Sequence, residues 1–368
     1  MGDLYIGLIS GTSMDGIDAA LVEFEQASLT VLQTHQYPYS DALRSRLMRA
    51  IRGPVTCTVD EVGALHRWTG ESFRDAANAL LAASDVAATA ITAIGSHGQT
   101  LRHQPNAEHP FSLQLGDAAV IAAGTGITTV ADFRSADIAL GGQGAPLVPP
   151  FHEWLFSRPG KDRCILNVGG IANATILHGD SRQTLGFDTG PGNTLLDAWV
   201  RKHKDEPFDR DGQWAASGTA DDELLQRLLA DPYFAAPAPK STGLEYFNLA
   251  WLDAVGVDGI DPADVQATLC ALTAVASADA IRLTACEATE VLVCGGGAHN
   301  SELMRLLDAQ LPGVAVMSTA AAGIDPDWVE AAAFAWLAMR RMQGLPGNLP
   351  AVTGARKATL LGAVYRSG

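Results

Sequence analysis

Two apolar runs near the start of the chain flank the stretch Gly11-Thr12-Ser13-Met14-Asp15-Gly16-Ile17-Asp18. The first run is Leu4–Ile9, and the second, Ile17–Phe24, alternates apolar and polar residues, so strands are predicted on both sides of a glycine turn. The stretch is not a Walker A loop, because it lacks Gly-Lys-Ser/Thr and no helical pattern follows it directly. It predicts a hairpin whose backbone can approach a phosphate. The alternative is an ordinary hairpin turn of the same composition.

The same strand, turn and strand pattern returns in the second half of the chain. Strand patterns at Cys164–Val168 and Ile171–Leu177 overlap the motif Asn167-Val168-Gly169-Gly170-Ile171-Ala172-Asn173. A third turn, Gly295-Gly296-Gly297, ends another strand pattern and leads through Asn300 into a helical one. One sequence does not distinguish duplication from chance recurrence of a common hairpin. Together, the three turns would hold the phosphates and adenosine of ATP along one cleft between two lobes.

The patterns outside these turns extend each hairpin into a lobe. Helical periodicity at Asp41–Ile51 and Val59–Ala83 follows the first hairpin, and a long helical pattern at Pro262–Ala285 follows the second. We therefore predict an α/β fold with two lobes, each a mixed sheet flanked by helices. Residues 1–133, completed by about 354–368, are predicted to form the first lobe, and residues 134–353 the second.

Composition narrows the class of protein. The chain has 368 residues, 47% of them hydrophobic, which is typical of a globular enzyme with more than one core. Its 25 Lys and Arg against 41 Asp and Glu give a net charge of -16, which disfavours nucleic acid and anionic membrane surfaces as partners. The five cysteines are scattered and form no CxxC pair, and no apolar run is long enough to span a membrane. A cytoplasmic location is predicted.

Asp188 is the strongest candidate for a catalytic group. It follows the strand pattern Thr184–Phe187 and precedes Thr189-Gly190-Pro191-Gly192, a turn that leads into a helical pattern. A carboxylate at this place could act as a general base that takes a proton from an attacking oxygen. The alternative is an aspartate that only accepts backbone N–H groups at a turn.

Further polar residues are candidates for binding a hydroxyl-rich substrate. His97 lies in Ser96–Thr100, and Asp132 and Arg134 precede the glycine-rich segment Gly141–Pro146. Ligands of open α/β sheets collect beyond the carboxyl ends of the strands, and an arginine there could clamp a carboxylate. His97 could equally be a buried structural histidine. Glu330 opens an apolar helical pattern, where it could simply favour the helix N-terminus.

These motifs together resemble the anhydro-N-acetylmuramic acid kinase family along essentially the whole chain. The strand and glycine turns alone indicate only the broader superfamily of actin, sugar kinases and Hsp70-like ATPases. The resemblance is carried by Gly11–Asp18, Ser96–Thr100, Asp132–Arg134, Gly141–Pro146, Asn167–Asn173, Phe187–Asn193, Lys240–Gly243 and Gly295–Asn300. It implies a two-lobed actin-like, ribonuclease H-like ATPase fold with a cleft between the lobes.

The resemblance also implies an activity. Family members are ATP-dependent kinases of cell-wall recycling that convert 1,6-anhydro-N-acetylmuramic acid, ATP and water into N-acetylmuramic acid 6-phosphate and ADP. Water activated by the aspartate that matches Asp188 attacks the anomeric carbon, and the freed 6-oxygen attacks the γ-phosphate. Mg²⁺ is implied as the metal, the cytoplasm as the location and a homodimer as the assembled state.

Site residues are carried over motif by motif. His97, Asp132, Arg134 and Glu330 are implied as sugar contacts, with Arg134 opposite the lactyl carboxylate, and Asp15 as a water-mediated contact to Mg²⁺. The nucleotide is implied to bind Gly11, Thr12, Ser13, Met14, Asp15, Gly16, Ile17, Asp18, Asn167, Gly169, Gly170, Asn173, Gly295, Gly296, Gly297 and Asn300.

One position departs from the family pattern. The family usually has an arginine after the motif Lys240-Ser241-Thr242-Gly243, and this chain has Leu244. If that arginine matters for substrate affinity, this chain would be a slower or weaker enzyme. Two alternatives stay open: a kinase of the same fold that acts on another sugar or sugar acid, and a non-catalytic binding protein gated by nucleotide or sugar.

Overall fold

A computed structural model describes residues 2–11, 14–26, 28–52, 57–284 and 287–367. The chain divides into two compact units, one made of residues 1–155 and 328–368 and the other of residues 156–327. In chain order, the elements as far as unit 1's first segment are β1 Asp3–Ile9, β2 Gly16–Glu25, β3 Ser28–Pro38, α1 Asp41–Arg52, α2 Val59–Ala82, β4 Ile91–Ser96, β5 Gln99–Gln104, β6 Phe111–Leu115, α3 Ala118–Thr125, β7 Thr129–Ala131, α4 Ser135–Ala139 and α5 Pro149–Phe156.

The second unit follows, and the chain then returns to the first. The elements of unit 2 are β8 Arg163–Val168, β9 Ile171–Leu177, β10 Leu185–Pro191, α6 Asn193–Lys204, α7 Gln213–Ser217, α8 Asp222–Leu229, α9 Pro232–Ala235, α10 Leu249–Val255, α11 Pro262–Leu283, β11 Glu290–Cys294, α12 Ser301–Gln310 and β12 Ala315–Ser318. The returning elements of unit 1 are α13 Val329–Met342, α14 Pro350–Thr353 and β13 Ala363–Tyr365.

Five strands of each main sheet follow the same order, and β13 is an additional edge strand in unit 1. In unit 1 the order is β13-β7-β4-β1-β2-β3, and in unit 2 it is β10-β9-β8-β11-β12. In both, the first three strands form an antiparallel meander and the next two strands add in parallel beside the first. This 3-2-1-4-5 arrangement confirms the predicted α/β fold with two mixed sheets of ribonuclease H-like topology. The parallel strands are reached through helical crossovers, as such pairs require.

A helix from the C-terminal segment completes unit 1. Most of α13 is buried, and it contacts β1 and β4, the central strands of the sheet. Two glycines make this close approach possible: a Cβ on Gly7 would lie 1.7 Å from the carbonyl oxygen of Ala331, and one on Gly95 would lie 2.0 Å from that of Phe334. The first turn of the helix, which contains Glu330, therefore lies near the carboxyl ends of β1 and β4, which Ser10 and His97 directly follow.

The core of unit 2 is built around α11. Of the 22 residues of this helix, 15 are buried, and they lie on nearly all of its sides. The helix therefore lacks the polar face of a surface helix. Thr273 of α11 donates its hydroxyl to the carbonyl oxygens of Pro191 (3.0 Å) and Gly192 (3.2 Å), which holds the end of β10 against the helix. In the part of the chain that the structure describes, no helix is both long and apolar enough to cross a membrane.

Several predicted boundaries change. The strand ending at Phe187 was placed too short, because β10 pairs with β9 through Asp188 and on to Pro191. The hairpin β5–β6 was not predicted. Residues 134–155 and 328–353, which the sequence analysis assigned to the second lobe, lie in the contact-defined unit 1, since α13 packs on β1 and β4 and Asn348 bonds Asp137.

Candidate active site

Arg44 and Gln99 hold the turn between β1 and β2 by hydrogen bonds. The Arg44 guanidinium donates to the carbonyl oxygen of Met14 (3.1 Å) and to Oδ1 of Asp15 (2.7 Å). The Gln99 amide lies 2.8 Å from Ser10 Oγ, at the start of the turn. Met14 is buried and takes a left-handed φ of 56°, uncommon for a residue with a side chain. Thr12 and Ser13, both predicted to contact the nucleotide, lie outside the described residues.

The glycines of this turn serve different purposes. A Cβ on Gly16 would lie 2.5 Å from the carbonyl oxygen of Tyr37, so pairing with β3 alone requires glycine there. A Cβ on Gly11 would meet no atom of the described residues within 4 Å. Protein packing therefore does not explain Gly11, and the space beside its backbone is open to a ligand.

The glycine turns of unit 2 divide in the same way. Gly295 has a φ of +75°, and a Cβ on it would lie 2.5 Å from Asn167 Oδ1, while one on Gly297 would lie 2.5 Å from the Val168 side chain. These two glycines are required by packing. In contrast, a Cβ on Gly169 or on Gly296 would have no neighbour closer than 3.7 and 3.6 Å respectively. A Cβ at either of these two positions would make only ordinary van der Waals contacts, so protein packing does not require glycine there.

The β8–β9 turn is fixed to the start of α6. The backbone N–H of Asn193 donates to the carbonyl oxygen of Gly169 (2.8 Å), and that of Thr194 donates to the carbonyl oxygen of Gly170 (3.0 Å). The Asn193 side chain donates to the carbonyl oxygen of Val168 (3.1 Å). Because both glycine carbonyls are used in this way, the turn is rigid on its carbonyl side.

Three predicted site residues lie in one row across the sheet of unit 2. Asp188 on β10 pairs with Asn173 on β9, which pairs in turn with Asn167 on β8. Residues directly opposite one another in antiparallel strands project from the same face of a sheet. Two amides and one carboxylate therefore project side by side. Asn167 is buried, whereas Asn173 and Asp188 are half-buried.

Three hydrogen bonds hold Asp188 in place. Its backbone N–H donates to the carbonyl oxygen of Lys240 (2.9 Å), its carbonyl oxygen accepts from the Tyr233 hydroxyl (2.8 Å), and its Oδ2 accepts from the Thr242 N–H (3.0 Å). A β-bulge follows directly, between Asp188 and Gly190, and bulges commonly re-aim side chains next to active sites. Burial raises the pKa of Asp188 to about 6, against the opposing effect of the Thr242 N–H.

The segment that carries Lys240 and Thr242 is anchored by aromatic residues. The Lys240 ammonium lies 4.6 Å from the Tyr233 ring centroid and donates to the carbonyl oxygens of Tyr233 (2.9 Å) and Phe234 (3.1 Å). Both rings pack on Phe247, which is fully buried. Since Lys240 is occupied by these contacts, its ammonium serves the loop that holds Asp188.

His97 and Arg134 form a buried pair in unit 1. An Arg134 Nη lies 2.7 Å from His97 Nε2, and the other donates to the carbonyl oxygen of Gly144 (2.7 Å). A guanidinium only donates, so Nε2 must accept and the proton of a neutral imidazole sits on Nδ1. Burial, and secondly the charge of Arg134, hold the pKa of His97 well below its usual range. Within the described residues, His97 Nδ1 and Arg134 Nε are buried without a hydrogen-bond partner.

Glu330 balances the charge of Arg134 at a distance. Burial, then the charge of Asp18, raises the pKa of Glu330, and Arg134 acts in the opposite direction. Burial lowers the pKa of Arg134 to about 10, and Glu330 partly offsets that effect. The two side chains make no direct ion pair in the described part of the chain. Phe334, one turn later on α13, packs on the His97 ring with centroids 4.7 Å apart.

Asp132 and Asn300 carry local structural bonds. Asp132 has a φ of 58°, and its Oδ1 accepts from the Ser135 hydroxyl (2.6 Å). With Ser96 and His97 it lines a pocket of about 190 Å³ in unit 1. Asn300 is buried, and its Oδ1 caps α12 by accepting from the Leu303 N–H (2.9 Å). The structure thus gives Asn300 a capping function, whatever contact its amide nitrogen makes.

No dedicated metal cage exists among the described residues: no three or more His, Cys, Asp or Glu side chains there could hold one ion. Mg²⁺ in kinases usually keeps several waters and is held mainly by substrate phosphates and one or two carboxylates. Asp15 is exposed, and Arg44 occupies only its Oδ1. An exposed carboxylate of this kind could contact such an ion directly or through water.

Several functional candidates were missed from sequence. Thr242 was named only as part of a motif, because the role of its backbone N–H depends on the loop being folded onto Asp188. Gly144, whose carbonyl oxygen receives Arg134, was read only as part of a glycine-rich segment. Phe334 lies in an apolar run and carried no signal. The pairing of His97 with Arg134, 37 positions apart, was likewise out of reach.

Comparison with solved structures gives distant similarities. The chain resembles the ADPNP-bound activator of the 2-hydroxyisocaproyl-CoA dehydratase from Clostridium difficile with a TM-score of 0.49 and 10% identity, covering 92% of this chain and 96% of that one. It resembles a ROK family glucokinase from Streptomyces griseus, solved with glucose and AMPPNP, with a TM-score of 0.36 and 14% identity over 90% of this chain and 99% of that one.

Sequence comparison gives much closer relatives. The family model of anhydro-N-acetylmuramic acid kinase matches residues 3–367. The anhydro-N-acetylmuramic acid kinase of Shewanella loihica is 52% identical over 364 residues, and that of Shewanella amazonensis 53% identical over 365, each alignment covering 98% of both chains. With a match of this extent and identity, the chain belongs to the anhydro-N-acetylmuramic acid kinase family.

Proposed function

We propose that this chain phosphorylates 1,6-anhydro-N-acetylmuramic acid with ATP and opens its anhydro ring with water, giving N-acetylmuramic acid 6-phosphate and ADP in cell-wall recycling. The observation that carries the proposal is Asp188. Its Oδ2 is fixed by the Thr242 N–H, and burial raises its pKa to about 6. A general base works best with a pKa near the operating pH, and this one is matched to near-neutral conditions.

The chemistry needs one base. Asp188 takes a proton from water while the water oxygen bonds to the anomeric carbon, and the bond between that carbon and the 6-oxygen breaks with its electron pair passing to the 6-oxygen. The 6-oxygen then attacks the γ-phosphorus, and the bond to the β-phosphate oxygen breaks to release ADP. Phosphoryl transfer asks the protein chiefly for positioning and charge stabilisation.

The open glycine backbones are the proposed phosphate contacts. Among the described residues, protein packing does not require glycine at Gly11, Gly169 or Gly296. Backbone N–H groups in such turns can cradle anions even in an acidic protein. The amides of Asn167 and Asn173, beside Asp188 in the sheet, are proposed to complete the nucleotide contacts.

Unit 1 supplies the proposed sugar contacts. Arg134 is proposed to bind the lactyl carboxylate, since its Nε is without a hydrogen-bond partner and it makes no ion pair with Glu330 in the described chain. His97, whose proton is assigned to Nδ1 because Nε2 accepts from Arg134, is proposed to donate that proton to a sugar oxygen. Glu330 and Asp132 are proposed as acceptors for sugar hydroxyl groups. These four residues would determine which sugar is accepted.

Three finer points extend the proposal. Mg²⁺, held by the ATP phosphates with Asp15 contacting it through water, would neutralise charge on the phosphates. A cytoplasmic location agrees with the state of Cys57, Cys164, Cys270 and Cys294, which form no disulfide among the described residues. A homodimer is proposed from the family resemblance alone.

The test is to incubate the purified protein with Mg-ATP and 1,6-anhydro-N-acetylmuramic acid in ¹⁸O water, and to follow ADP and the product mass. We expect ADP release that requires the sugar, with one solvent oxygen at C1 of the product. Asp188→Asn, which keeps an acceptor for the Thr242 N–H, is expected to bind both substrates and to lose turnover by at least about 10²-fold, the range for general bases. Asp253→Asn, an exposed carboxylate of the same unit, is the matched control.

The other outcomes separate the alternatives. Good turnover of ordinary hexoses without an anhydro bridge would indicate a kinase for another sugar. Nucleotide binding without turnover of any sugar would indicate a binding protein. Full activity of Asp188→Asn would remove Asp188 from the mechanism.

A further inference from the structure

A buried carboxylate lies behind Arg134 in unit 1. Asp137, in the first turn of α4, is 0% exposed. Its Oδ1 accepts from Asn348 Nδ2 and Thr353 Oγ1, both at 2.7 Å, and its Oδ2 accepts from the Gly144 N–H at 2.8 Å. No Lys, Arg or His forms an ion pair with Asp137 among the described residues. Removing one partner of such a satisfied buried group is costly, so the arrangement is tightly constrained.

The contacts of Asp137 lead directly to the guanidinium. Gly144 receives Asp137 on its N–H and presents its carbonyl oxygen to Arg134 at 2.7 Å. Gly144 has a φ of +67°, and a Cβ on it would lie 2.8 Å from the Ile138 side chain, so only glycine fits. The N–H and the carbonyl oxygen of Gly144 lie in adjacent peptide planes that meet at its Cα, so Asp137 anchors one side of the turn that presents the carbonyl oxygen to Arg134.

The other acceptor of Arg134 is fixed independently. His97 Nε2, 2.7 Å from the guanidinium, belongs to a residue whose backbone N–H donates to Leu8 and whose ring packs on Phe334. Two acceptors in fixed places, Nε2 of His97 and the Gly144 carbonyl oxygen, define the plane of the Arg134 guanidinium. The histidine half is set by the sheet and α13, and the Gly144 half is set by Asp137.

We infer that Asp137 is a positioning residue for substrate binding: by holding Gly144, it fixes the plane in which Arg134 meets the carboxylate of the sugar. Bidentate recognition of a carboxylate by arginine depends on that plane as well as on charge. The inference rests on the proposed function, in which Arg134 binds the lactyl carboxylate. It predicts that Asp137 affects the KM for the sugar and leaves the KM for ATP and kcat nearly unchanged.

The experiment compares Asp137→Asn with Thr353→Val in steady-state assays and thermal unfolding. The Asn side chain cannot accept on both sides as a carboxylate does, so the Gly144 contact or the Asn348 and Thr353 contacts are lost. We expect the sugar KM to rise about tenfold or more, as for hydrogen bonds to charged groups. Thr353→Val removes one 2.7 Å bond to Oδ1 and leaves Gly144 untouched, so it is expected to lower the Tm with the sugar KM within about twofold.

A double-mutant cycle with Arg134→Met tests the route of the effect. If Asp137 acts through Arg134, Asp137→Asn changes the sugar KM by less than about twofold once the guanidinium is gone. Equal effects in both backgrounds, or equal rises in KM for Asp137→Asn and Thr353→Val, would overturn the inference in favour of a general structural role. If Asp137→Asn does not fold, Asp137→Ser, which is smaller and leaves room for water, is expected to raise the same KM.

The two levels of proposal fail separately. If Arg134→Met leaves the sugar KM unchanged, the proposed carboxylate contact is wrong. If Arg134→Met raises the sugar KM and a folded Asp137 variant does not, only the positioning inference is wrong.

Discussion

Asp188, the proposed general base, is held in a buried state that costs stability at neutral pH. Burial raises its pKa from 3.8 to about 6, so the folded chain binds a proton more tightly than the unfolded chain does. Between those two values the folded state therefore gains protons relative to the unfolded state, and its stability declines as the pH rises. Above pH 6 Asp188 is ionised in both states, and the cost of burying its charge then lowers the free energy of unfolding by its full amount.

Asp188→Asn should accordingly stabilise the protein at neutral pH while removing activity. We expect a gain on the order of 1–3 kcal/mol at pH 7–8, shrinking towards zero below about pH 4, where Asp188 is protonated in both states. Denaturant unfolding at several pH values measures this. Asp253→Asn, which alters an exposed ion pair, is expected to change stability little. A variant less stable than the parent at pH 8 would show that the carboxylate is stabilised by contacts other than the Thr242 N–H.

As the proposed base, Asp188 should also set the acid limit of the reaction. A base must be ionised to accept a proton, so kcat/KM should fall about tenfold per pH unit below pH 6 and level off above it. Stopped assays over pH 4.5–8.5, with stability checked at each pH, measure the profile. A rate that is flat through pH 6 would contradict Asp188 as the base.

At this scale the sequence identified side chains but not their partners. Asp188, His97 and Arg134 were found from their motifs, because short polar motifs at strand ends are local signals. The Thr242 N–H and the Gly144 carbonyl oxygen were not found, because any residue supplies those atoms and only the folded loop brings them to Asp188 and Arg134. The assigned roles of all these residues remain predictions until variants are measured.

Among the elements, the strand-to-helix turn after β11 offers a matched pair of glycines. A Cβ on Gly296 has its nearest neighbour at 3.6 Å, whereas one on Gly297 would lie 2.5 Å from Val168. Gly296→Ala is expected to leave the Tm within about 2 °C, a shift of well under 1 kcal/mol, and to weaken ATP binding. Gly297→Ala is expected to destabilise by about 1–3 kcal/mol, as overpacked cores do.

Calorimetric titration with ATP and thermal unfolding distinguish the two effects. Unchanged ATP affinity in Gly296→Ala would remove this turn from the proposed nucleotide contacts. An unchanged Tm in Gly297→Ala would mean that Val168 can move aside.

Elements were predicted well where one hydrophobic period dominates the sequence. They were predicted poorly where a strand depends on pairing with another segment of the chain. The strands β1, β2, β8 and β9 are apolar or alternating, and their predictions are confirmed. The hairpin β5–β6 was missed, since both strands mix polar and apolar residues and they pair mainly with each other. The end of β10 was missed because glycine and proline there read as a turn, although pairing with β9 continues past Asp188.

For the molecule as a whole, buried histidines limit stability in acid. His152 on α5 is 1% exposed, its ring centroid lies 6.3 Å from that of Phe151, and burial lowers its pKa from 6.5 to about 3. The unfolded chain therefore binds a proton that the folded chain refuses, and stability falls as the pH drops from about 6.5 towards 3.

His152→Gln should flatten that decline, because glutamine does not titrate. Each pH unit of the window corresponds to about 1.4 kcal/mol for one fully shifted group. Unfolding measured at pH 7, 6, 5 and 4 tests this against His109→Gln, an exposed control. Parallel pH curves for His152→Gln and the parent would assign acid sensitivity to other groups, such as His97.

The two-sheet architecture was predicted from the strand, glycine turn and strand pattern that occurs in both halves of the chain. A hairpin and further strand and helix patterns predicted each mixed sheet, and the shared strand order confirms that reading. The placement of residues 328–353 could not be derived in this way. It depends on the close approach of the α13 backbone to Gly7 and Gly95. The spacing of two strand glycines does not indicate which distant helix packs on them.

Packing of α13 on β1 and β4 also sets a time interval. The strands are synthesised early, but the helix that covers them follows all of residues 156–327. At 5–20 residues per second, the glycine-lined face of the first sheet waits roughly ten to thirty-five seconds for its cover. Unit 2 is continuous in sequence and meets no such delay. During translation the half of the molecule that begins first is therefore finished last.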